Sequence, residues 1–454
     1  MDWRRYPFLL VPGDARLDFP AAEGEHPDQE SDTWYIAGEL MAASGRRFAF
    51  LTIFNRNRPG GLVVADFYTL ALFDIDTATY GTYTDYDMPP KSMLPGARPK
   101  LSGVVGHLDM SYETGAGTAA WKTSRDSHGQ LVPYTYDIEL VGRDRSGQEM
   151  ELRLHVTPTR APVPVGASVY NGKIVACRQN DTYSYFQTGM VMSGTLRWGD
   201  LEETVSGRSG HIDRQWFPIY AGGGGTGGEL RLQSHEWHTI SLDNGVDLSV
   251  WRQFDRDAGN ALEPFSGATT SCADPGAVPE CAEDIQVSTI SYVRWPNSVR
   301  TLMPPPAQAR FMGDRHRLTS AVFELDVTGE PLIAAPAHAL PIEFMEGPYR
   351  YEGTMRGRPV TGFAFYERSL ALYRDWELID VLESAVAELT PASDELASMI
   401  RDSRPLVVAG RTREALDHIE TAMAPVMAAL PAGSGAEVAQ ILGDLADSLR
   451  SRLG

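Results

Sequence analysis

The chain of 454 residues is 43% hydrophobic and 22% charged, enough for sizeable cores and more than one domain. Its formal net charge of −20 argues against nucleic acid and against general electrostatic docking on an anionic membrane, because both need basic surfaces. No run of 18 apolar residues occurs, so no transmembrane helix is expected, and the opening MDWRRYPFLLVPGDARLDFP lacks the apolar stretch and cleavage site of a secretory signal, which points to the cytoplasm. Three cysteines, Cys177, Cys272 and Cys281, make no disulfide framework, and the pair flanking ADPGAVPE is expected to be free in that compartment.

Between residues 34 and 88, runs such as 48–54 (FAFLTIF) and 67–73 (FYTLALF) are broken by Pro59-Gly60-Gly61 and closed by Pro89-Pro90, the pattern of antiparallel strands. Residues 134–140 and 151–156 alternate apolar and polar side chains, as strands with one buried face do, and Pro158, Pro162 and Pro164 end the regular pairing. A first barrel is expected to close near residue 198. Residues 183–216 read as two short strands turning at Trp198-Gly199-Asp200, followed by a glycine-flanked loop. That loop places an imidazole (His211), a carboxylate (Asp213), a guanidinium (Arg214), an amide and an indole (Trp216) within six positions. Such convergence marks a candidate site, whereas the plainer reading has Asp213 pair with Arg214 while Trp216 plugs a barrel end. The glycine run at 221–228 lacks both the P-loop lysine and a strand–GxGxxG–helix setting, and is expected to be a loop rim.

Asn244-Gly245, flanked by alternating residues, is the strongest hairpin signal in the chain. A two-residue turn there sets Asp243 against Val246, and it also sets His238 against Trp251, Glu236 against Gln253 and Ser234 against Asp255, these last six on one polar face. That face is either the solvated outside of a strand or, given Trp251 among titratable groups, the wall of a ligand pocket. Residues 263–283 are expected to form an exposed loop, and strands resume at 286–292 and end near Tyr366. From Arg374 the apolar spacing becomes helical, with Thr390-Pro391 as a helix start and Gly410-Arg411-Thr412 as a stop and restart. His235 and His238 point to opposite strand faces, so no metal set stands out, and neither a G-x-S-x-G elbow nor a nicotinamide or flavin site is present.

The segments DTWYIAGELMAASGRRFAFLTIFNR, YFQTGMVMSGTL, GHIDRQW, EWHTISLDNGVDLSVW and FMEGPYRYEGTMRGRPVTGFAFYER, in that order, resemble the AttH/CrtC family of lipocalin-like proteins. Its members include carotenoid 1,2-hydratases, a hydratase of kievitone and, more distantly, fungal pericyclases. The resemblance spans roughly residues 10 to 370 and implies a mainly β chain. Two tandem lipocalin-like antiparallel barrels are expected over 1–198 and 199–372, with a helical appendage over 373–454. The family usually reads Asp-His-x-Trp; Asp213 and Trp216 match, but Arg214 holds the histidine position and His211 lies before the aspartate. An arginine stays protonated and cannot cycle protons.

A lipocalin-like barrel encloses a cavity for one small, largely apolar ligand. Adding water to an unactivated alkene, or removing it, needs a carboxylic acid whose pKa is raised by burial, with aromatic faces to shelter the cation. Asp213, Glu236 or Asp255 is the candidate acid, with His211 and Arg214 beside it. Trp216, Trp251 and Tyr185 are candidate walls, and His238 and Gln253 line the same site. The expected function is a cofactor-free hydratase, dehydratase or cyclase-type isomerase on an apolar terpenoid or polyene. The alternative, which Arg214 favours, is a non-catalytic lipid or polyene carrier. The C-terminal helices are expected to serve packing or homo-oligomers.

Overall fold

The computed structural model describes residues 3–10, 17–58, 65–87, 98–166, 173–176, 179–218, 233–274, 278–296, 298–299, 301, 309–389, 393–430 and 433–454. The glycine run at 221–228, Pro59-Gly60-Gly61, Pro89-Pro90, Thr390-Pro391 and Cys177 lie outside these residues. Strands of six residues or more form two curled antiparallel sheets, and four helices follow.

The first sheet begins with the meander β1 (Ser31–Ala42), β2 (Arg47–Asn57), β3 (Phe67–Asp74) and β4 (Thr79–Tyr86). It continues with β5 (Asp109–Thr114), β6 (Gly117–Arg125), β7 (Leu131–Arg143) and β8 (Glu149–Pro158). β9 (Gln179–Thr188), β10 (Met190–Trp198) and the long β11 (Leu201–Phe217) complete it. The path runs β4-β3-β2-β1-β11-β10-β8-β7-β6-β5, with β9 also paired to β11. Along β8, Met150, Leu152, Leu154 and Val156 point inward while Arg153 and His155 stay in solvent, so the sheet curls around its own apolar face. The Tyr68 hydroxyl reaches across that curl to the Val141 carbonyl at 3.2 Å.

The second sheet comprises β12 (Gln233–Leu242), β13 (Val246–Asp255), β14 (Gly267–Cys272), β15 (Gln286–Arg294), β16 (Phe311–Ser320), β17 (Leu325–Pro331), β18 (Phe344–Met355) and β19 (Arg358–Ser369). Its path is β14-β13-β12-β19-β18-β17-β16-β15, around a separate core that includes Ile240, Val250, Leu318 and Tyr349.

β1 to β3 are buried on both faces, because the faces turned away from the first core pack against the second sheet. Ala37, Leu51, Ile53 and Phe73 meet Ile333, Leu340, Phe344 and Phe365 there. Each such large side chain removed from water contributes about 1.5–3 kcal/mol.

Three expectations change. The division at 198/199 falls in the hairpin between β10 and β11, and β11 stays in the first sheet, so the second sheet begins only at Gln233. The segment read as a loop over 207–216 is strand: β11 pairs with β1 on one side and with β10 and β9 on the other. A bulge between Ser206 and Ser209 shifts its register against β1, and a Cβ on Gly210 would lie 2.5 Å from the Ala37 carbonyl oxygen, which explains the glycine. The third change is in the hairpin. Only Gly245 of the turn has positive φ (84°), the Gly245 N–H bonds the Leu242 carbonyl at 3.1 Å, and Ser241 faces Asp247. This is a three-residue loop with glycine in the left-handed position, and it moves the register by one residue. Trp237 therefore faces Trp251, and Glu236 faces Arg252.

The helices α1 (Asp375–Ala387), α2 (Asp394–Val408), α3 (Thr412–Ala429) and α4 (Ser434–Arg452) form a bundle whose core takes in Phe311 and Leu372 of the sheet side. The described cap of α2 is Ser393, whose Oγ accepts the Leu396 N–H at 3.3 Å, and Gly410 (φ 68°) separates α2 from α3 as expected. A fully buried ion pair, Arg256 Nε to Glu377 Oε1 at 2.9 Å, ties α1 to the second sheet.

Candidate active site

A cleft of about 200 Å³ opens between the two sheets, outside both barrel cores. Strand alternation builds it. On β11, His211, Asp213, Gln215 and Phe217 face the second sheet, opposite Ala37, Tyr35, Thr33 and Ser31 of β1. The second sheet contributes Gln233 and His235 from β12, Trp251 and Gln253 from β13, and Glu367 and Ser369 from β19. Ile53, Phe67, Leu340, Ile342 and Phe344 form an apolar wall.

Asp213 is 4% exposed, and Ser184 Oγ donates to its Oδ1 at 2.9 Å. Burial raises its pKa to about 8; the Ser184 bond and Arg214 pull it down only in part, while the charge of Glu367 adds to the rise. The Tyr35 hydroxyl donates to Glu346 Oε1 across the sheet interface. Burial, reinforced by Glu367, holds the Glu346 carboxyl well above the usual range, and its Oε2 has no partner among the described residues. Glu346 and Glu367 are direct cross-strand partners, a placement that penalises two charges and keeps the proton on Glu346.

His235 joins Glu367 through Nε2 and lies 2.9 Å from Ser369 Oγ through Nδ1. Ser369 Oγ accepts the His235 backbone N–H at 3.0 Å, so its own proton is available to Nδ1 and the imidazole donates from Nε2 to Glu367. The ring stacks on Trp251 at 4.8 Å. Trp251 Nε1, a donor, and Gln253 Oε1, an acceptor, are buried at the cleft without partners among the described residues. Buried polar atoms are ordinarily satisfied, so this pair offers unfilled capacity to a ligand. His211 stacks on Tyr35 at 5.2 Å and meets Trp237 edge-on at 5.1 Å; burial lowers its pKa to about 3, so the ring is neutral. No trio of His, Cys, Asp or Glu among the described residues is arranged to hold a metal ion.

The fold thus gathers Asp213, His211, Trp251 and Gln253 from the sequence-derived set and sends the others elsewhere. Arg214, one position from Asp213 on a strand, points to the opposite face, so the two do not form the charge pair that the plainer reading of this segment expects. It is buried with Nη1 2.7 Å from Asp32 Oδ1, Nη2 2.7 Å from the Gly24 carbonyl and its guanidinium 4.1 Å over Trp34. Trp216 stacks on His26 at 4.2 Å, and Tyr185 packs edge-on against Phe19 at 4.8 Å, both on that same far side. The one-residue hairpin shift turns Glu236 and His238 onto the core face of the second sheet. Burial alone would raise Glu236, but Arg252 at 2.7 Å and Arg368 at 3.5 Å hold it at about 2. His238 Nδ1 lies 2.6 Å from the Tyr351 hydroxyl. Asp255, at the end of β13, accepts the Asp257 and Ala258 N–H groups at 2.9 and 3.2 Å and shapes a turn. Tyr35, His235, Glu346, Glu367 and Ser369 escaped the sequence reading; with the correct register, alternation alone groups His235 with Trp251 and Gln253.

A family model described as AttH-like matches residues 11–367. The chain belongs to the AttH-like family. The match covers both sheets of this AttH-like protein and stops at Glu367, before the helices. An AttH protein from Nitrosomonas europaea has a similar fold, with a TM-score of 0.54 and 16% identity over 80% of this chain and 99% of that one. Kievitone hydratase from Nectria haematococca is similar at a TM-score of 0.52 and 12% identity, over 81% and 98%. No curated protein sequence matches this chain. The AttH-like protein is mainly β and lipocalin-like, and among its described residues no helix is long and apolar enough to cross a membrane.

Proposed function

We propose that the inter-sheet cleft is the active site of an acid/base enzyme of hydratase type, with Asp213 as the proton donor. The observation that carries this reading is a buried carboxyl that keeps its proton near neutral pH while facing an aromatic and apolar cleft. Protonation of an alkene carbon, or of a hydroxyl about to leave as water, needs such an acid, and a positioned one contributes about two to four orders of magnitude in rate. Trp251 and Tyr35 supply ring faces for a developing cation, and Glu367, backed by His235, takes the proton from the attacking water. The fold shared with kievitone hydratase supports this class of reaction. Apolar substrates such as terpenoids or polyenes suit the wall of Ile53, Phe67 and Phe344. The same wall suits a lipid or polyene carrier; the catalytic reading is favoured by the protonated Asp213 carboxyl standing in the same cleft as the Glu367–His235 pair.

The test is incubation with a panel of polyenes and prenylated phenols in ¹⁸O-labelled water, read by mass spectrometry. Incorporation or loss of one water, abolished in Asp213→Asn with binding retained, is the expected result. Recovery of every bound ligand unchanged would establish the carrier.

A further inference from the structure

Once Asp213 has given up its proton it has to be reloaded, and at 4% exposure it meets water only by way of the cleft, which substrate or product fills during turnover. Its hydrogen-bonded neighbour Ser184 is itself fully buried, and Arg214 points to the far face of β11. On the cleft side, however, a row of ionisable side chains crosses from one sheet to the other, two of its links hydrogen bonds and two cross-strand pairings. Asp213 is the direct cross-strand partner of Tyr35. Tyr35 is hydrogen-bonded to Glu346, Glu346 is the cross-strand partner of Glu367, and Glu367 is bonded to His235. Same-face cross-strand partners hold their Cβ atoms about 4.5–5.5 Å apart, within reach of a side-chain rotation or one bridging water. Exposure rises at the far end of the row, where the side chain of Glu367 is 11% exposed and that of His235 is 24% exposed.

We propose that Tyr35, Glu346, Glu367 and His235 form a proton relay that reloads Asp213 from solvent through His235. This rests on the reading of Asp213 as the proton donor. The transfers balance. The Asp213 carboxylate takes the Tyr35 phenolic proton as the Tyr35 oxygen accepts the carboxyl proton of Glu346. Glu346 is restored from Glu367, which after hydration holds the proton of the attacking water and in the resting protein takes the Nε2 proton of His235, and His235 then gains one from solvent at Nδ1, beside the Ser369 hydroxyl. One proton enters, one arrives, and every intermediate group ends with the charge it began with. His235 is left in its other tautomer, which exchange at the ring nitrogens resets. The unpartnered Glu346 Oε2 gives the arriving proton an open lone pair.

The experiment needs no substrate. Stopped-flow infrared spectroscopy follows the carboxylic-acid C=O band of Asp213, assigned by its loss in Asp213→Asn, after dilution of the full-length protein into D2O. The parent is expected to exchange this proton within the mixing time. Tyr35→Phe, which keeps the ring and its stack on His211, and Glu346→Gln are each expected to slow the exchange at least ten-fold. Tyr351→Phe, which removes a hydroxyl from the other face of the second sheet, should exchange like the parent. Exchange at the parental rate in Tyr35→Phe and Glu346→Gln would overturn the relay while leaving Asp213 as the acid, and equal slowing in all three variants would overturn it too. Absence of an acid band lost in Asp213→Asn would remove both the relay and the catalytic reading beneath it.

Discussion

Asp213→Asn isolates the proton on which the catalytic reading depends, and it does so through stability alone. Asparagine keeps the planar group and an oxygen for the Ser184 hydroxyl but cannot titrate. In the folded parent the carboxyl binds its proton up to about pH 8, whereas the unfolded chain releases it near the ordinary value of 3.8. Between those values the folded state holds more protons, so the parent loses stability as pH rises, by about 1.4 kcal/mol per pH unit from this one group. The stability of the variant relative to the parent should therefore climb by about 2.7 kcal/mol between about pH 5 and about pH 7 and level off above about pH 8. Urea unfolding of both proteins at several pH values measures the difference, and contributions from groups unaffected by the substitution cancel. A difference that stays flat over this window would mean that Asp213 is ionised in the folded protein, and the general-acid role would go with it.

Arg214→His, which restores the usual family residue, should cost about 3–5 kcal/mol in urea unfolding because it takes the guanidinium from buried Asp32 and leaves that carboxylate only its His26 contacts; a loss below about 1 kcal/mol would show the Asp32–Arg214 pair to be dispensable. Glu377→Gln should cost a similar 3–5 kcal/mol by orphaning Arg256, and removal of the helices should likewise destabilise the second sheet, contrary to a view of them as an appendage. Glu236→Gln is expected to lower the melting temperature yet leave turnover of an identified substrate intact, and Asp255→Asn to change stability by only about half a kcal/mol. Loss of turnover in either, with fold retained, would contradict the hairpin register. Gly245→Ala should cost about 1–2 kcal/mol from its left-handed backbone, measured by thermal unfolding, although the added methyl group would meet only Ala273 Cβ at an ordinary contact distance of 3.6 Å.

The strands were legible because alternation is a local property: Met150, Leu152, Leu154 and Val156 announce a half-buried strand without knowledge of their partners. The change to helical spacing after Arg374 was legible for the same reason. Asp213, His211, Trp251 and Gln253 stood out by residue type. Register was not legible, since a two-residue and a three-residue loop at Asn244-Gly245 differ only in whether Asn244 joins Gly245 in the left-handed region, and that single slip moved Glu236 and His238 to the wrong face. The remainder of the cleft was beyond local reasoning altogether. Tyr35 and Glu346 are separated by 311 positions and meet only because two sheets stack. The loop reading of residues 207–216 failed because its glycines, taken as bends, instead allow close approach of β1.

Because the cleft belongs to neither core, its shape is set by how two independently filled bodies abut. A substitution at Thr33, Asn55 or Gln253 alters the chamber without touching the packing of Trp34, Phe54 or Val250 on the reverse side of the same strands. Such a seam can be recarved for new molecules at little expense to foldability, which a lumen filled by a barrel's own side chains does not allow. The same arrangement leaves activity exposed to any condition that loosens the join. Both sheets can retain their secondary structure while a displacement of an ångström or two separates Tyr35 from Glu346 and dissolves the site.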